Sequence, residues 1–287
     1  MPESGRAPTP RNQFSFSRVK TYYQCPLRYR YRYLKGLKEA FRSVESFMGT
    51  VVHDVLEWLY AERENGASPT LDAALEALAD RWSAGLTEEI TVIRCSDNLD
   101  AYLVTAREIL ERFHRGAFDR DRSRTVALEQ RLNQPLSDEI VFTGFADRIG
   151  RTETGRLFVV DYKTSKNEGN PSEFSEGLQA PLYAACALQH RDDTEALAGY
   201  HYLRHDSTSW QTVTTDRATE LLDRFRQLAE ETRAATEFEP RPGVLCAWCG
   251  FNAICPAAEV PAALSGGLDK AREIKARTPG LFESDSQ

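Results

Sequence analysis

Residues Phe142 to Lys166 read FTGFADRIGRTETGRLFVVDYKTSK, and this stretch decides the fold. Runs rich in Val, Ile and Phe flank Thr152-Glu153-Thr154-Gly155, which predicts two antiparallel strands joined by a short turn in which Gly155 takes a positive φ. On the second strand Asp161 and Lys163 are two residues apart and point to one face, with Tyr162 on the other. A turn centred near Thr154 sets Asp147 across from Asp161, with Cβ atoms about 5 Å apart. Two carboxylates and an ammonium then converge on one spot.

Burying two unpaired acids among apolar residues is costly, and like charges that close repel. A hard divalent ion, Mg²⁺ or Mn²⁺, resolves the conflict, because it takes oxygen ligands and keeps open positions for water. Lys163 would then offset charge developing on a phosphate, or help orient and deprotonate an attacking water. The competing reading pairs Asp147 with Arg148 and makes Asp161-Tyr162-Lys163 the point where a strand reaches solvent.

Around this hairpin the hydrophobic period changes along the chain. Ser17 to Leu37, Glu45 to Glu64, Leu71 to Trp82 and Leu99 to Phe118 have apolar residues at helical spacing. Strands are expected at Val126 to Leu132, Ile140 to Arg151 and Arg156 to Lys163. A helix follows at about Ser175 to Gln189, then strands near Tyr200 to Leu203 and Trp210 to Thr214, then a helix from Arg217 to Ala235. The fold class is α/β, a mixed sheet flanked by helices behind a helical N-terminal part. Residues 1–13 and a polar tail over 265–287 are expected to be disordered or frayed.

The chain has 287 residues, 41% hydrophobic and 28% charged, and no apolar run approaches the roughly 20 residues of a membrane helix. With no signal-peptide pattern at the N-terminus, a cytoplasmic protein is expected. The run from Gly150 to Gly155 lacks the GK[ST] ending of a nucleotide-binding loop, so no nucleotide motor is expected. The net charge of −7 argues against a general nucleic-acid binder. Yet Phe14 to Arg42 holds eight Lys or Arg against one acid, with five tyrosines interleaved. Arg28, Tyr29 and Arg32 in this segment are candidates to bind a single strand through phosphate pairing and base stacking. The plainer reading is that the tyrosines pack inward and the arginines solvate the surface.

Asp147, the hairpin, Asp161-x-Lys163 and Thr164 together resemble the active-site core of the PD-(D/E)XK nucleases, specifically the RecB-like branch, whose strand commonly reads D-Y-K-T. Gly49-Thr50-Val51-Val52-His53 is similar to that branch's G-x-x-x-H motif, and Gln179-x-x-x-Tyr183 to its Q-x-x-x-Y motif. Phe16-Ser17 and Tyr23-Gln24-Cys25-Pro26 resemble its N-terminal helix. The usual Pro before the first Asp is Ala146 here. The resemblance implies a restriction-endonuclease-like fold over residues 14–260, with a helical part (14–125), a catalytic sheet core (126–235) and a cysteine cluster (246–255). It implies that His53, Asp147, Asp161 and the carbonyl of Tyr162 hold Mg²⁺ or Mn²⁺ and that Lys163 is catalytic. Gln179 and Tyr183 would position the substrate, and Glu129 would be an outer acid.

Six cysteines divide into two isolated residues, Cys95 and Cys186, and the compact set Cys246, Cys249 and Cys255. Three thiolates need a fourth. The resemblance supplies Cys25, since nucleases of the AddB and CRISPR-adaptation types place one N-terminal cysteine with a C-terminal trio. Zinc and an iron-sulfur cluster both accept four cysteines, and spacing does not separate them. The resemblance favours a [4Fe-4S] cluster acting as a staple between the N- and C-terminal segments. It implies a DNA exonuclease acting on single-stranded ends, with a helicase or other DNA-processing partner. The alternatives are a CRISPR adaptation nuclease that trims spacers and a non-catalytic DNA-binding protein of a helicase complex.

Overall fold

The computed structural model describes residues 12–93, 98–166 and 178–257; Cys95 and the tail expected over 265–287 lie outside this range. In chain order the elements are β1 (Gln13–Phe14), α1 (Phe16–Gln24), α2 (Pro26–Tyr29), β2 (Arg42–Ser43), α3 (Val44–Glu64), α4 (Leu71–Gly85), β3 (Ile90–Thr91) and α5 (Leu99–Phe113). Then come β4 (Arg124–Pro135), β5 (Val141–Arg151), β6 (Leu157–Lys163), α6 (Gln179–Gln189), β7 (Glu195–Tyr202), β8 (Ser207–Thr214) and α7 (Thr215–Ala234). They assemble into two interleaved units. One comprises the chain up to Phe41, Asn133–Thr143 and Phe225 onward; the other comprises Arg42–Leu132 and Gly144–Arg224. The boundary therefore does not follow the expected division into a helical part and a sheet core.

In the first unit the expected continuous helix is broken. Ser15 caps α1 by accepting the Arg18 N–H, and α1 stops at Cys25 because Pro26, which suits a first helical turn, opens α2. A π-helical turn follows over Arg30–Leu34. Gln13 pairs in parallel with Val141, so the ordered chain includes a residue expected to be disordered. The C-terminal loop is tied back by hydrogen bonds from the Ala40 N–H to the Gly250 carbonyl (2.9 Å) and from Arg241 to the Tyr23 carbonyl (2.6 Å).

The second unit is built on β6. Its sequence LFVVDYK is buried up to Lys163, the pattern of a strand covered on both faces. β6 pairs antiparallel with β5 and parallel with β7, which pairs antiparallel with β8; β4 pairs with β5 on the far side. The parallel step from β6 to β7 passes through α6. Tyr162 stacks on Tyr60 of α3, whereas Lys163 bonds Gln179 of α6. Neighbouring strand residues point to opposite faces, so α3 and α6 cover opposite faces of the sheet. The core on the α3 side joins Phe47, Val52, Leu56 and Leu59 with Leu78 and Trp82 of α4, Ile109 and Phe113 of α5, and Phe158 and Val160 of β6. Truncating one such side chain, Leu56→Ala for example, costs about 2–5 kcal/mol.

Candidate metal centre and cysteine cavity

The hairpin forms as its sequence predicts, with Gly155 at φ +82° in the turn. Arg151 pairs with Leu157 and Arg148 with Val160; one step further along this register, Asp147 stands opposite Asp161. Arg148 does not neutralise Asp147. Its guanidinium is buried over the Tyr60 ring and binds Asp121 (2.7 Å), Ser123 (2.8 Å) and Thr125 (3.0 Å).

Freed from that pairing, Asp147 turns to α3 and β6. Its Oδ2 accepts the Tyr162 N–H at 2.8 Å and lies 3.5 Å from His53 Nδ1. His53 donates its other ring N–H to the Tyr162 carbonyl at 2.9 Å. Gly49, one helical turn earlier, brings α3 close to the end of β6: a Cβ there would stand 3.3 Å from Thr164 Oγ1. The G-x-x-x-H and D-Y-K-T motifs thus meet.

Glu129 completes a set in which one donor atom from each of His53, Glu129 and Asp147 lies within 4.8 Å of the others. The three line a small cavity of about 10 Å³ with Glu57 and Tyr162, room for roughly one water-sized sphere. One imidazole and two carboxylates around such a space fit a divalent cation. Glu129 was expected only as an outer acid. It reaches the cavity because its backbone takes φ +43° in the middle of β4, a left-handed conformation uncommon outside Gly. Glu57 was not singled out from the sequence, although it lies four residues after His53 and so on the same helical face.

Asp161 is almost fully buried and pairs with Lys163 at 2.6 Å. Lys163 Nζ also donates to Gln179 Oε1 (3.1 Å), and Gln179 Nε2 donates to the Tyr183 hydroxyl (3.2 Å). The Q-x-x-x-Y pair therefore lies against Lys163.

The electrostatics reflect this crowding. Burial alone would lower the His53 pKa, but Asp147, Asp161 and Glu129 raise it to about 9. Burial and then Asp147 raise Glu129 to about 7, against the pull of His53. Burial raises Asp161 to about 6 despite Lys163. A cluster that holds protons this firmly is short of positive charge.

A second grouping lies within the first unit. Cys25, Cys246, Cys249 and Cys255 all line one cavity of about 280 Å³, together with Leu27, Arg28, Tyr31 and Phe251. The Gly243 N–H points at Cys246 Sγ (3.3 Å), and burial pushes the Cys249 thiol up to about 11. Cys186 is buried in α6 away from this set, as a lone packing thiol.

The nucleic-acid role expected of Tyr29 is corrected by its surroundings. The ring is 1% exposed and packs against Tyr22, Tyr33 and Phe238, so no face is left for a base. Arg28 and Arg32 both pair with Glu39, at 2.9 and 3.3 Å.

Residues 13–256 match the model of the PD-(D/E)XK nuclease superfamily. The chain is 29% identical over 179 residues to a protein of the ATP-dependent helicase/deoxyribonuclease of Streptococcus agalactiae, an alignment that covers 59% of this chain and 16% of that protein. It is 25% identical over 196 residues to the protein of the same name in Streptococcus mutans, covering 66% and 18%. The chain thus spans less than a fifth of the length of these relatives. A solved structure of an exonuclease candidate from Eubacterium rectale aligns over 94% of each chain with 14% identity and a TM-score of 0.48.

Proposed function

Because this chain belongs to the PD-(D/E)XK nuclease superfamily, we propose that it is a divalent-metal-dependent deoxyribonuclease of the RecB-like branch that hydrolyses phosphodiester bonds at single-stranded ends. The observation that carries this reading is the convergence of His53, Glu129 and Asp147 beside the Asp161–Lys163 pair. His53, Glu129 and Asp147 would hold Mg²⁺ or Mn²⁺, with Asp161 and the Tyr162 carbonyl adjoining. When bound, the ion supplies positive charge beside the phosphate and makes a nearby water more acidic. Lys163, fixed by Asp161 and Gln179, presents an ammonium that offsets charge developing on the pentacoordinate phosphate. Tyr183 braces Gln179 and so limits where Lys163 can swing. The helicase named in the Streptococcus relatives suggests a helicase or other DNA-processing partner, and DNA as substrate suggests a cytoplasmic location.

The same proposal assigns a structural [4Fe-4S] cluster to Cys25, Cys246, Cys249 and Cys255. Four cysteines on one cavity are a complete donor set for it. Zinc holds thiolates about 2.3 Å from itself and hence close together, whereas no three of these sulfurs lie within 4.8 Å of one another. The wider spacing favours a cluster. Bound there, it would tie the N-terminal helices to the C-terminal loop and take no part in hydrolysis.

The test is an assay of purified protein on end-labelled single strands with Mg²⁺ or Mn²⁺. Cleavage that EDTA stops, and that Lys163→Ala reduces by several orders of magnitude while strand binding persists, supports the reading. Strand binding without cleavage by the metal-loaded wild type would replace it with the non-catalytic DNA-binding reading.

A further inference from the structure

β5 has β4 on one side and β6 on the other, yet it exposes a phenylalanine. Burial alternates along it: Gly144, Ala146 and Arg148 are buried, Asp147 is half-buried and Phe145 is 48% exposed. Residues two apart on a strand share a face, so Phe145 lies on the same face as Asp147, with Cα atoms about 7 Å apart. The ring has no aromatic neighbour among the described residues. A singly exposed hydrophobe is ordinary at a protein surface. This one stands on a strand flanked on both sides, one side-chain position from a carboxylate of the candidate metal set.

We propose that Phe145 is a base-stacking residue, which holds the nucleobase next to the phosphate bound at Asp147. The inference rests on the nuclease reading and deepens it, naming a contact that favours single strands. A free base has an open π-face, whereas a base in a duplex is already stacked on its neighbours. It also explains how a site lined with acids holds a polyanion: stacking is indifferent to charge and adds affinity without adding cations.

The probe is a single-stranded oligonucleotide carrying one 2-aminopurine at successive positions, titrated in Ca²⁺ to limit cleavage. Wild-type protein should quench the fluorescence strongly at one position. Phe145→Ala should lose that quench and bind about 5- to 100-fold more weakly, with an unchanged salt slope. Phe145→Trp should retain both. An abasic nucleotide at the quenched position should weaken the wild type by the same factor and leave Phe145→Ala no weaker than before. Wild-type quench and affinity in Phe145→Ala, additive losses with the abasic strand, or a parallel fall in Mn²⁺ affinity or melting temperature would each overturn the proposal. A wild type that quenches but does not cleave with Mg²⁺ or Mn²⁺ would sink the nuclease reading alone, because the stacking result is read from binding.

Discussion

Asp147 accepts the backbone N–H of Tyr162 with the carboxylate that also faces His53, so one side chain both secures the hairpin and serves the candidate metal centre. These roles separate by substitution. Asp147→Asn keeps an oxygen for the Tyr162 N–H and removes a charge facing Asp161 and Glu129. The metal-free variant should melt no lower than wild type, by circular dichroism, while its Mn²⁺ affinity by calorimetry falls at least about tenfold. Asp147→Ala leaves the N–H unpaired and should melt lower, by about 1–3 kcal/mol of stability. Equal Mn²⁺ affinity in Asp147→Asn would remove Asp147 from the ligand set.

Glu129 sits in a backbone conformation that costs a non-Gly residue about 1–2 kcal/mol. If that cost is accepted so that the carboxylate reaches the ion, Glu129→Gly and Glu129→Gln should both weaken Mn²⁺ binding about tenfold. Neither should melt lower without metal, since both remove an acid facing Asp147. Lower melting with unchanged Mn²⁺ affinity would make Glu129 a structural residue only.

The pKa shifts set a direction for stability against pH. His53 is raised from 6.5 to about 9, so its contribution is complete below about pH 6.5 and lost as pH rises through 9. Glu129 and Asp161 are also raised, to about 7 and about 6. The folded state binds their protons more firmly than the unfolded chain does, and stability falls as pH climbs from about 4 to 7. Melting temperatures in EDTA should therefore drop steadily from pH 6 to 9, and Mn²⁺ should restore most at the alkaline end. A flat profile in EDTA would mean that these groups do not crowd one another in solution.

Anaerobically purified protein should be brown, and Cys25→Ala, Cys246→Ala, Cys249→Ala or Cys255→Ala should each bleach it and lower its melting temperature. Cys186→Ala should keep the colour at a modest packing cost. A colourless wild type with one zinc per chain would replace the cluster with zinc; full iron in Cys25→Ala would mean that the fourth ligand lies elsewhere.

The hairpin was legible because its evidence is local: strand alternation, a glycine turn and two acids set by register. His53, Gln179 and Tyr183 were found only through resemblance, because a helix does not announce which strand it will meet. The segment Arg28–Tyr33 misled because charge and aromatic residues alternate there in sequence, while on a helix each step turns by about 100°. Tyr22, Tyr29 and Tyr33, spaced seven and four apart, share one helical face, and it is that face that packs inward. The position of Glu129 was hidden for another reason: Glu has no preference for a left-handed backbone, so nothing in the chemistry of position 129 advertised it.

The interleaving of the two units has a consequence for biosynthesis. Cys25 leaves the ribosome early, whereas Cys246, Cys249 and Cys255 emerge more than two hundred residues later, after every segment of the unit that holds His53, Asp147 and Lys163 has been made. Any metal shared by the four cysteines must therefore be loaded last, onto a chain whose nuclease half is already complete. A ribosome that stalls before Cys246 would release a fragment with its hydrolytic residues intact and its cysteine cavity unfinished.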